Sequence, residues 1–407
     1  MMRPEVLAPA GDRECLDAAL LYGADAVYLA DTSFGMRAAA ENFDRDQLKS
    51  AIEQVHAVGK KVYITCNILP RNSDVLSLPE YLRYLDQLLP DGLIVADLGA
   101  IVLAKKYAPR IPLHVSTQLG VVNYETARAL YDMGAKRVVL ARELSLEEIR
   151  EIRAKTPKEL ELEAFVHGAV CMSVSGRCVL SNYLTGRDAN HGACTQPCRW
   201  KYDVVEPHRI DKPMTVEQTE DGTYIFNAYD LNMLPHIAAL ADAGISSFKI
   251  EGRAKAAYYT AVITNAYRAA VDGYVSSGYP SDYLPEDWVV AEAEKVSHRP
   301  YGTGFYFGMP HQNTESGGYI RKYAVAGVVE GYENGYLLVE QRNRFFVGDT
   351  LDILVPGEKP FLFPCERLYN GEREEIQSAP HAAMKLKIPF EHPLPKGSIL
   401  RVKLADR

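Results

Sequence analysis

With 407 residues, 47% hydrophobic and 24% charged, the chain has the composition of an ordinary soluble globular protein, long enough for one large domain and a smaller one. No run approaches the roughly 20 apolar residues of a membrane span, and the N-terminus lacks a basic stretch leading into an apolar one, so the cytoplasm is the expected compartment. A formal net charge of −8, with no basic arm in either half, leaves a nucleic-acid partner dependent on a local positive patch.

Short apolar runs recur through the first 275 or so residues: PEVLAP (4–9), ADAVYLA (24–30), KVYITCNI (61–68), GLIVAD (92–97), LHVSTQ (113–118), RVVLAR (137–142), LEAFVHG (162–168) and SSFKIEG (246–252). They are nearly continuous and rich in β-branched and aromatic residues, as strands covered on both faces are. Between them, CLDAALLYGA (15–24), YETARALYDMGA (124–135) and SLEEIREIRAKT (145–156) space their apolar residues near the helical period. Ser145 followed by Glu148 fits a capping box, and Gly23, Gly134 and Gly244 sit where helices must stop. Eight strand–helix alternations predict an α/β fold, a (β/α)8 TIM-like barrel, complete or distorted. A doubly wound open sheet is the alternative, although no GxGxxG follows the first run.

The seventh connection, 168–246, is far longer than the few residues usual in such folds, and long structured insertions on barrel loops are usually functional. It opens with a cysteine-rich loop. WKYDVVEP and TVEQTEDGTYIFN then read as a hairpin turning at Asp221-Gly222, and DLNMLPHIAALADAGI reads as a helix. Residues 276–316 form a Gly-, Tyr- and Pro-rich connector. From 317 to 407 alternating stretches separated by turns such as Glu333-Asn334-Gly335 predict a small C-terminal all-β barrel domain. The expected organisation is therefore a barrel over 1–275 carrying the insertion, the connector, and the β domain.

Barrel enzymes work at the C-terminal ends of their strands. Those ends carry Asn67, Asp97, Ser116 with Gln118, Arg142 with Glu143, His167, and Lys249 with Glu251 and Arg253. Asn67, Asp97, Gln118, Arg142 and Arg253 are candidates for holding a substrate or an anion. His167, Lys249 and Glu251 are candidates for acid–base or nucleophilic work. The bland reading stands beside each: a hydrogen-bonded core histidine, and arginines paired with Glu143 and Glu251. Cys66 lies near the same face but reads as a buried thiol. Trp200, flanked by Arg199 and Lys201, could stack on a nucleotide or simply anchor a loop.

Four of the seven cysteines, Cys171, Cys178, Cys194 and Cys198, fall within 28 positions as C-x6-C-x15-C-x3-C, directly after the seventh strand. They are therefore expected to share one cavity with the polar strand ends. In a reducing compartment such a cluster points to a metal or a cluster before disulfides. Neither end matches the tight pairs of zinc ribbons, so an iron–sulfur cluster stands ahead of zinc, with incidental thiols as the remaining reading. No HExxH, GxSxG or nucleophile–base pair at a telling spacing is present.

ELEAFVHGAVCMSVSGRCVLS (161–181) resembles the signature of the peptidase U32 family, the collagenase-like proteases. The matching residues are Glu163, Phe165, Gly168-Ala169, Cys171, Gly176, Cys178 and Ser181, with Val170 where Leu or Met is usual. LAPAGD (7–12), QPCRWKY (196–202), FKIEGRAKAAYY (248–259) and QRNRFFVGDTLDIL (341–354) extend the resemblance over nearly the whole chain. It implies hydroxylation of RNA bases, either the tRNA wobble uridine, with prephenate as a cosubstrate, or a ribosomal cytidine; relatives hydroxylate the ubiquinone ring. It also implies a 4Fe–4S cluster on Cys171, Cys178, Cys194 and Cys198, tRNA as partner, and a second homologous U32 subunit in some cases. Peptide-bond hydrolysis, as the family name says, and a non-catalytic cluster-bearing subunit are the alternatives.

Overall fold

The computed structural model describes residues 3–36, 41–171, 178–200, 218–219, 222–223, 228–310 and 318–404. Seven parallel strands, β1 (Glu5–Pro9), β2 (Ala26–Ala30), β3 (Lys61–Cys66), β4 (Gly92–Val95), β5 (Leu113–Val115), β6 (Ala135–Val139) and β7 (Glu161–Gly168), pair in sequence order. A closing strand, Ser247–Ile250, pairs with β1 through Glu5↔Ser247 and with β7 through Ser247↔Glu163, so the sheet is a closed eight-stranded barrel. Closure rules out the open sheet. The strands coincide with the eight apolar runs because each buries side chains both into the barrel and against the outer helices.

Between successive strands run α1 (Arg13–Leu21), α2 (Arg45–Ala57), α3 (Asn72–Leu88), α4 (Leu98–Tyr107), α5 (Tyr124–Asp132) and α6 (Leu146–Lys155). The insertion contributes α7 (Leu180–Thr185), and α8 (Ile237–Asp242) leads into the closing strand. The long α9 (Ala257–Ser276) follows it, and α10 (Asp287–Glu292) lies in the connector. Helix starts are locally written: Asp12, Asp44, Asp97, Asn123 and Ser145 each accept a bond from a backbone N–H of the first turn. The Ser145–Glu148 box is complete. The expected stops Gly23, Gly134 and Gly244 adopt φ of 95°, 99° and 87°.

The expected helix over DLNMLPHIAALADAGI is shorter than its sequence suggests. Asp230–Asn232 forms a strand antiparallel to β7, and only Ile237–Asp242 is α-helical. Of the expected hairpin, Gln218–Thr219 pairs with Gly222–Thr223; Asp221, its flanks and WKYDVVEP lie outside the described residues.

The barrel interior is not purely apolar. Leu7, Ala26, Tyr28, Tyr63 and Ile94 form a small core there. Below the mouth, Arg137 on β6 donates to Glu5 (2.7 Å), Glu161 (2.8 Å) and Glu163 (2.9 Å), and Lys249 donates to Glu163 (2.6 Å). Tyr63 and Ser247 donate to Glu5 as well. His114 fits beside Tyr63 because its neighbour on β4 is Gly92; a Cβ there would lie 2.6 Å from the imidazole. Burial first, then the charges of Arg137 and Lys249, hold His114 well below the usual histidine range, so it is neutral.

Residues 323–403 form a separate eight-stranded antiparallel sheet around its own core. Leu351 and Ile353 near one edge share that core with Leu368 near the other, and Phe363 of the edge strand Phe361–Pro364 meets Phe390 at 4.9 Å. The sheet therefore curls as a barrel does, without backbone pairing between its edges among the described residues. Buried Arg401 donates within the sheet to Asp352 (2.7 Å) and locks the sheet to the connector by donating to Glu292 (2.6 Å), and the Tyr22 hydroxyl after α1 donates to Gly397 O.

Candidate functional site at the barrel mouth

One cavity of about 140 Å³ opens at the C-terminal ends of the strands. Its wall includes Asn67, Gln118, Arg142, Lys249, Glu251 and Arg253, together with Cys171, Cys178, Cys194 and Cys198. The polar strand ends and the thiol cluster are thus on one surface. Strand parity explains the selection. Tyr63, Thr65 and Asn67 of β3 and its extension point inward, whereas Cys66 between them points to the helices and is buried there. Burial, then Asp31, pushes the Cys66 thiol up to about 12, the signature of an inert core cysteine.

Polar links hold the cysteine loop over the mouth. Asn190 Nδ2 donates to Cys178 O (2.8 Å), Thr195 N donates to the Ser181 hydroxyl (3.1 Å), and Ser181 Oγ donates to Arg187 O (2.7 Å). These bring the chain around Cys178 against the chain around Cys194. Arg71–Asp188 (2.7 Å), His191–Asp74 (2.9 Å) and Leu69 N to Asn190 O (3.0 Å) then tie the loop to the start of α3. Cys171 is exposed and the other three are half-buried; all four are free thiols. Among the described residues no three Cys, His, Asp or Glu side chains converge to metal-holding distance. The four sulfurs share a wall without meeting at a point. As a donor set they fit a thiolate-ligated centre, since soft sulfur-only ligation suits an iron–sulfur cluster or zinc.

Three cations line the same cavity. Lys249 Nζ is gripped by Glu163 and lies 4.5 Å from the Tyr28 ring centroid. Arg142 donates to Ala169 O (2.7 Å) and stacks 4.1 Å from the Phe165 ring centroid, so it is fixed as a wall. Arg253 is buried and donates to Asn42 Oδ1 (3.3 Å). Asn67 Oδ1 accepts from Met36 N (3.3 Å). Two buried groups on the wall, Gln118 Nε2 and Thr65 Oγ1, have no hydrogen-bond partner among the described residues, and neither does Arg142 Nε.

Two of the expected residues do not line the cavity. Asp97 caps α4, accepting from Ala100 N at 2.9 Å; the helix begins at once after β4, so the carboxylate turns back onto the backbone. Asp97→Ala is expected to cost about 1 kcal/mol of stability, as helix-cap losses do, while leaving ligand binding in the cavity unchanged, measured by thermal unfolding and titration side by side.

His167 is displaced by a bulge. Against the closing strand, Phe165 faces Lys249 but His167 faces Ile250, so Val166 is an extra residue and the parity of β7 flips. The imidazole packs among Tyr259, Tyr267 and Tyr301, with the two latter hydroxyls 3.4 and 3.3 Å from its nitrogens. Burial, assisted by His298 and Lys255, pushes its pKa down to about 3, so the folded protein carries it neutral. An unfolded histidine titrates near 6.5, so stability is complete above that pH and falls as pH drops toward about 3. His167→Gln is expected to flatten part of the fall in melting temperature between about pH 6.5 and 4, His114 supplying the remainder.

Sequence reading overlooked Glu163, Arg137 and Glu5 as the support of Lys249. Their signal was charge inside otherwise apolar, buried strands. Trp200 is 43% exposed; Lys201 and the side chain of Arg199 lie outside the described residues. No helix among the described residues is long and apolar enough to cross a membrane.

A closed (β/α)8 barrel with a thiol-bearing loop over its mouth and a curled antiparallel domain at its C-terminus defines a class of protein that the sequence places more narrowly. Residues 11–316 match peptidase family U32 and residues 321–401 match the peptidase family U32 C-terminal domain, so the chain belongs to family U32. It is 35% identical to tRNA hydroxylation protein P of Escherichia coli (strain K12), over 97% of this chain and 95% of that protein. It is 34% identical to tRNA hydroxylation protein P1 of Bacillus subtilis (strain 168), over 98% and 94%. A protein named Collagenase from Porphyromonas gingivalis is 32% identical over 75% of this chain and 73% of its own length.

Proposed function

We propose that this chain is an RNA-hydroxylating enzyme that adds a hydroxyl at C5 of the wobble uridine of tRNA, with a 4Fe–4S cluster held by Cys171, Cys178, Cys194 and Cys198 and prephenate as cosubstrate. The observation that carries the reading is the single cavity walled by all four cysteines and by the cations Arg142, Lys249 and Arg253. Full-length similarity to two proteins named for tRNA hydroxylation supports the reaction class and the RNA substrate.

Replacing C–H by C–OH is a two-electron oxidation of the ring whose oxygen donor and final electron acceptor must come from outside the chain; a cluster held by Cys171, Cys178, Cys194 and Cys198 would relay those electrons one at a time. The chain's own residues provide the rest. Lys249, engaged by Glu163, presents positive charge rather than a nucleophile, which disfavours a Schiff-base role. With Arg142 and Arg253 it holds a carboxylate or phosphate where low dielectric makes the attraction strong. Glu251 on the same wall is the group suited to moving a proton. Tyr28, Ile94, Val139 and Phe165 exclude water.

The hydrolytic alternative, which the Porphyromonas relative's name suggests, needs a nucleophile beside a base. Among the described residues no histidine lines the cavity. The two readings separate in one experiment. A strain lacking its own tRNA hydroxylation proteins is complemented with this chain, and its tRNA is digested and analysed for nucleosides. Wild type is expected to restore 5-hydroxyuridine and Cys194→Ala to restore none. Gelatin cleavage by the loaded protein with no change in tRNA would overturn the proposal in favour of the peptidase.

A further inference from the structure

The cavity wall holds buried hydrogen-bonding groups that have no partner among the described residues. Gln118 is 8% exposed and Thr65 is 2% exposed, and both line the cavity. The Ser116 hydroxyl donates to Gln118 Oε1 (3.4 Å), which leaves Nε2, a donor only, without a partner among the described residues. Thr65 Oγ1 is likewise unpartnered. An unmet buried polar group is costly, and one on a cavity wall is placed where a ligand, a water or an ion can meet it. Part of the wall is aromatic and apolar: the Phe165 ring backed by Arg142, and Tyr28 and Ile94. A volume of about 140 Å³ corresponds to on the order of ten waters at 10–15 Å³ each, room for one planar heterocycle.

We infer that this cavity receives the target base itself and that Gln118 is its specificity-determining residue, reading a ring carbonyl so that uracil is accepted and cytosine refused. The inference rests on the RNA-hydroxylation reading and extends it from a reaction to a recognition rule. An unpartnered amide N–H on a residue of the cavity wall complements the O4 carbonyl of uracil. Cytosine presents an amino group at that ring position, so donor would face donor. Apolar and aromatic walls supply the stacking that holds a base taken out of its strand. The same donor would also suit a carboxylate oxygen of a small cosubstrate, so the test must separate base from carboxylate.

The anaerobically purified full-length protein is titrated with uridine monophosphate, cytidine monophosphate and benzoate, followed by ligand-observed NMR. Wild type is expected to bind the uridine nucleotide about 10-fold or more tighter than the cytidine nucleotide, the range of one well-placed base contact. Gln118→Leu is expected to bind the two alike. Gln118→Glu, nearly the same shape but an acceptor, is expected to reverse the preference. Unchanged visible absorption and melting temperature in Gln118→Glu establish that the fold is intact. Equal affinity of wild type for both nucleotides, or no binding of either up to about 10 mM, overturns the inference. So does a loss of benzoate affinity in Gln118→Leu with the uridine preference retained, which assigns the donor to a carboxylate. Nucleoside analysis of complemented cells separates the layers. If wild type and Gln118→Leu restore 5-hydroxyuridine equally, the function stands and the role of Gln118 falls. If wild type restores none, the RNA-hydroxylation reading itself falls.

Discussion

Replacing any one of Cys171, Cys178, Cys194 or Cys198 by alanine is expected to strip iron and sulfide from the anaerobically purified protein and to abolish 5-hydroxyuridine in complemented cells. Losing a partner that merely orients a ligand costs roughly 10- to 100-fold in metal affinity, and losing a ligand costs at least as much. The other three cysteines form the control. Cys15, Cys66 and Cys365 are buried elsewhere, and burial pushes their thiols up to about 12, 12 and 11. Cys66→Ala is expected to retain iron and colour, because that side chain faces the helices and not the cavity. Iron content by colorimetric assay and the visible spectrum read both outcomes. Wild-type iron in all four single variants would remove the cysteine loop from the chemistry.

The second large effect lies one layer deeper. Glu163 is fully buried and holds Lys249 and Arg137 at 2.6 and 2.9 Å. Glu163→Ala leaves two cations facing each other in the barrel, a change that typically costs 3–5 kcal/mol. For a domain of this size that corresponds to a fall in melting temperature of roughly 6–20 °C. Arg137 retains Glu5 and Glu161, so the stranded charge is chiefly Lys249. Glu163→Leu combined with Lys249→Met is therefore expected to recover much of the loss, as apolar replacement of a complete buried pair often does. That double variant should still fail to hold an anionic cosubstrate, which separates the stability of the network from its purpose.

The same pair fixes an acid dependence. Burial pushes the Glu163 carboxyl up, but Lys249 and Arg137 together outweigh it and hold it below the usual carboxylate range. A lowered folded pKa gives stability that is present above the unfolded value of about 4.3 and is lost as pH falls through the folded one. The wild type is expected to lose this contribution only in that acid range. Glu163→Gln should start lower at neutral pH and show a shallower acid limb.

The fold was legible because the barrel strands are nearly continuous apolar runs and several helices carry their own start or stop. Ser145, Gly23, Gly134 and Gly244 mark boundaries through local chemistry that needs no tertiary context. Strand ends gave Asn67, Gln118, Arg142, Lys249, Glu251 and Arg253, which line the cavity together with the four cysteines. The misplaced residues failed for local reasons too. Asp97 sits at a strand end that is also a helix cap, and the backbone claims its carboxylate. His167 lies one residue beyond a bulge, and a bulge cannot be read from periodicity because it is a break in it. The Glu5–Arg137–Glu163–Lys249 network was visible only as charges interrupting the otherwise apolar stretches PEVLAP, AKRVV, ELEAF and SFKI. Those charges fall on the inward parity of four different strands, and only closure of the barrel brings them together. The curl of the C-terminal sheet likewise depends on pairing order, which turns and alternation do not specify.

The most direct check on the four cysteines is X-ray absorption at the iron edge of the anaerobically purified full chain, repeated on Cys178→Ala. A shell of sulfur neighbours alone with iron scatterers behind it is expected in the wild type and its loss in the variant. Nitrogen or oxygen neighbours without iron–iron scattering, or zinc in place of iron, would contradict a cluster at the barrel mouth.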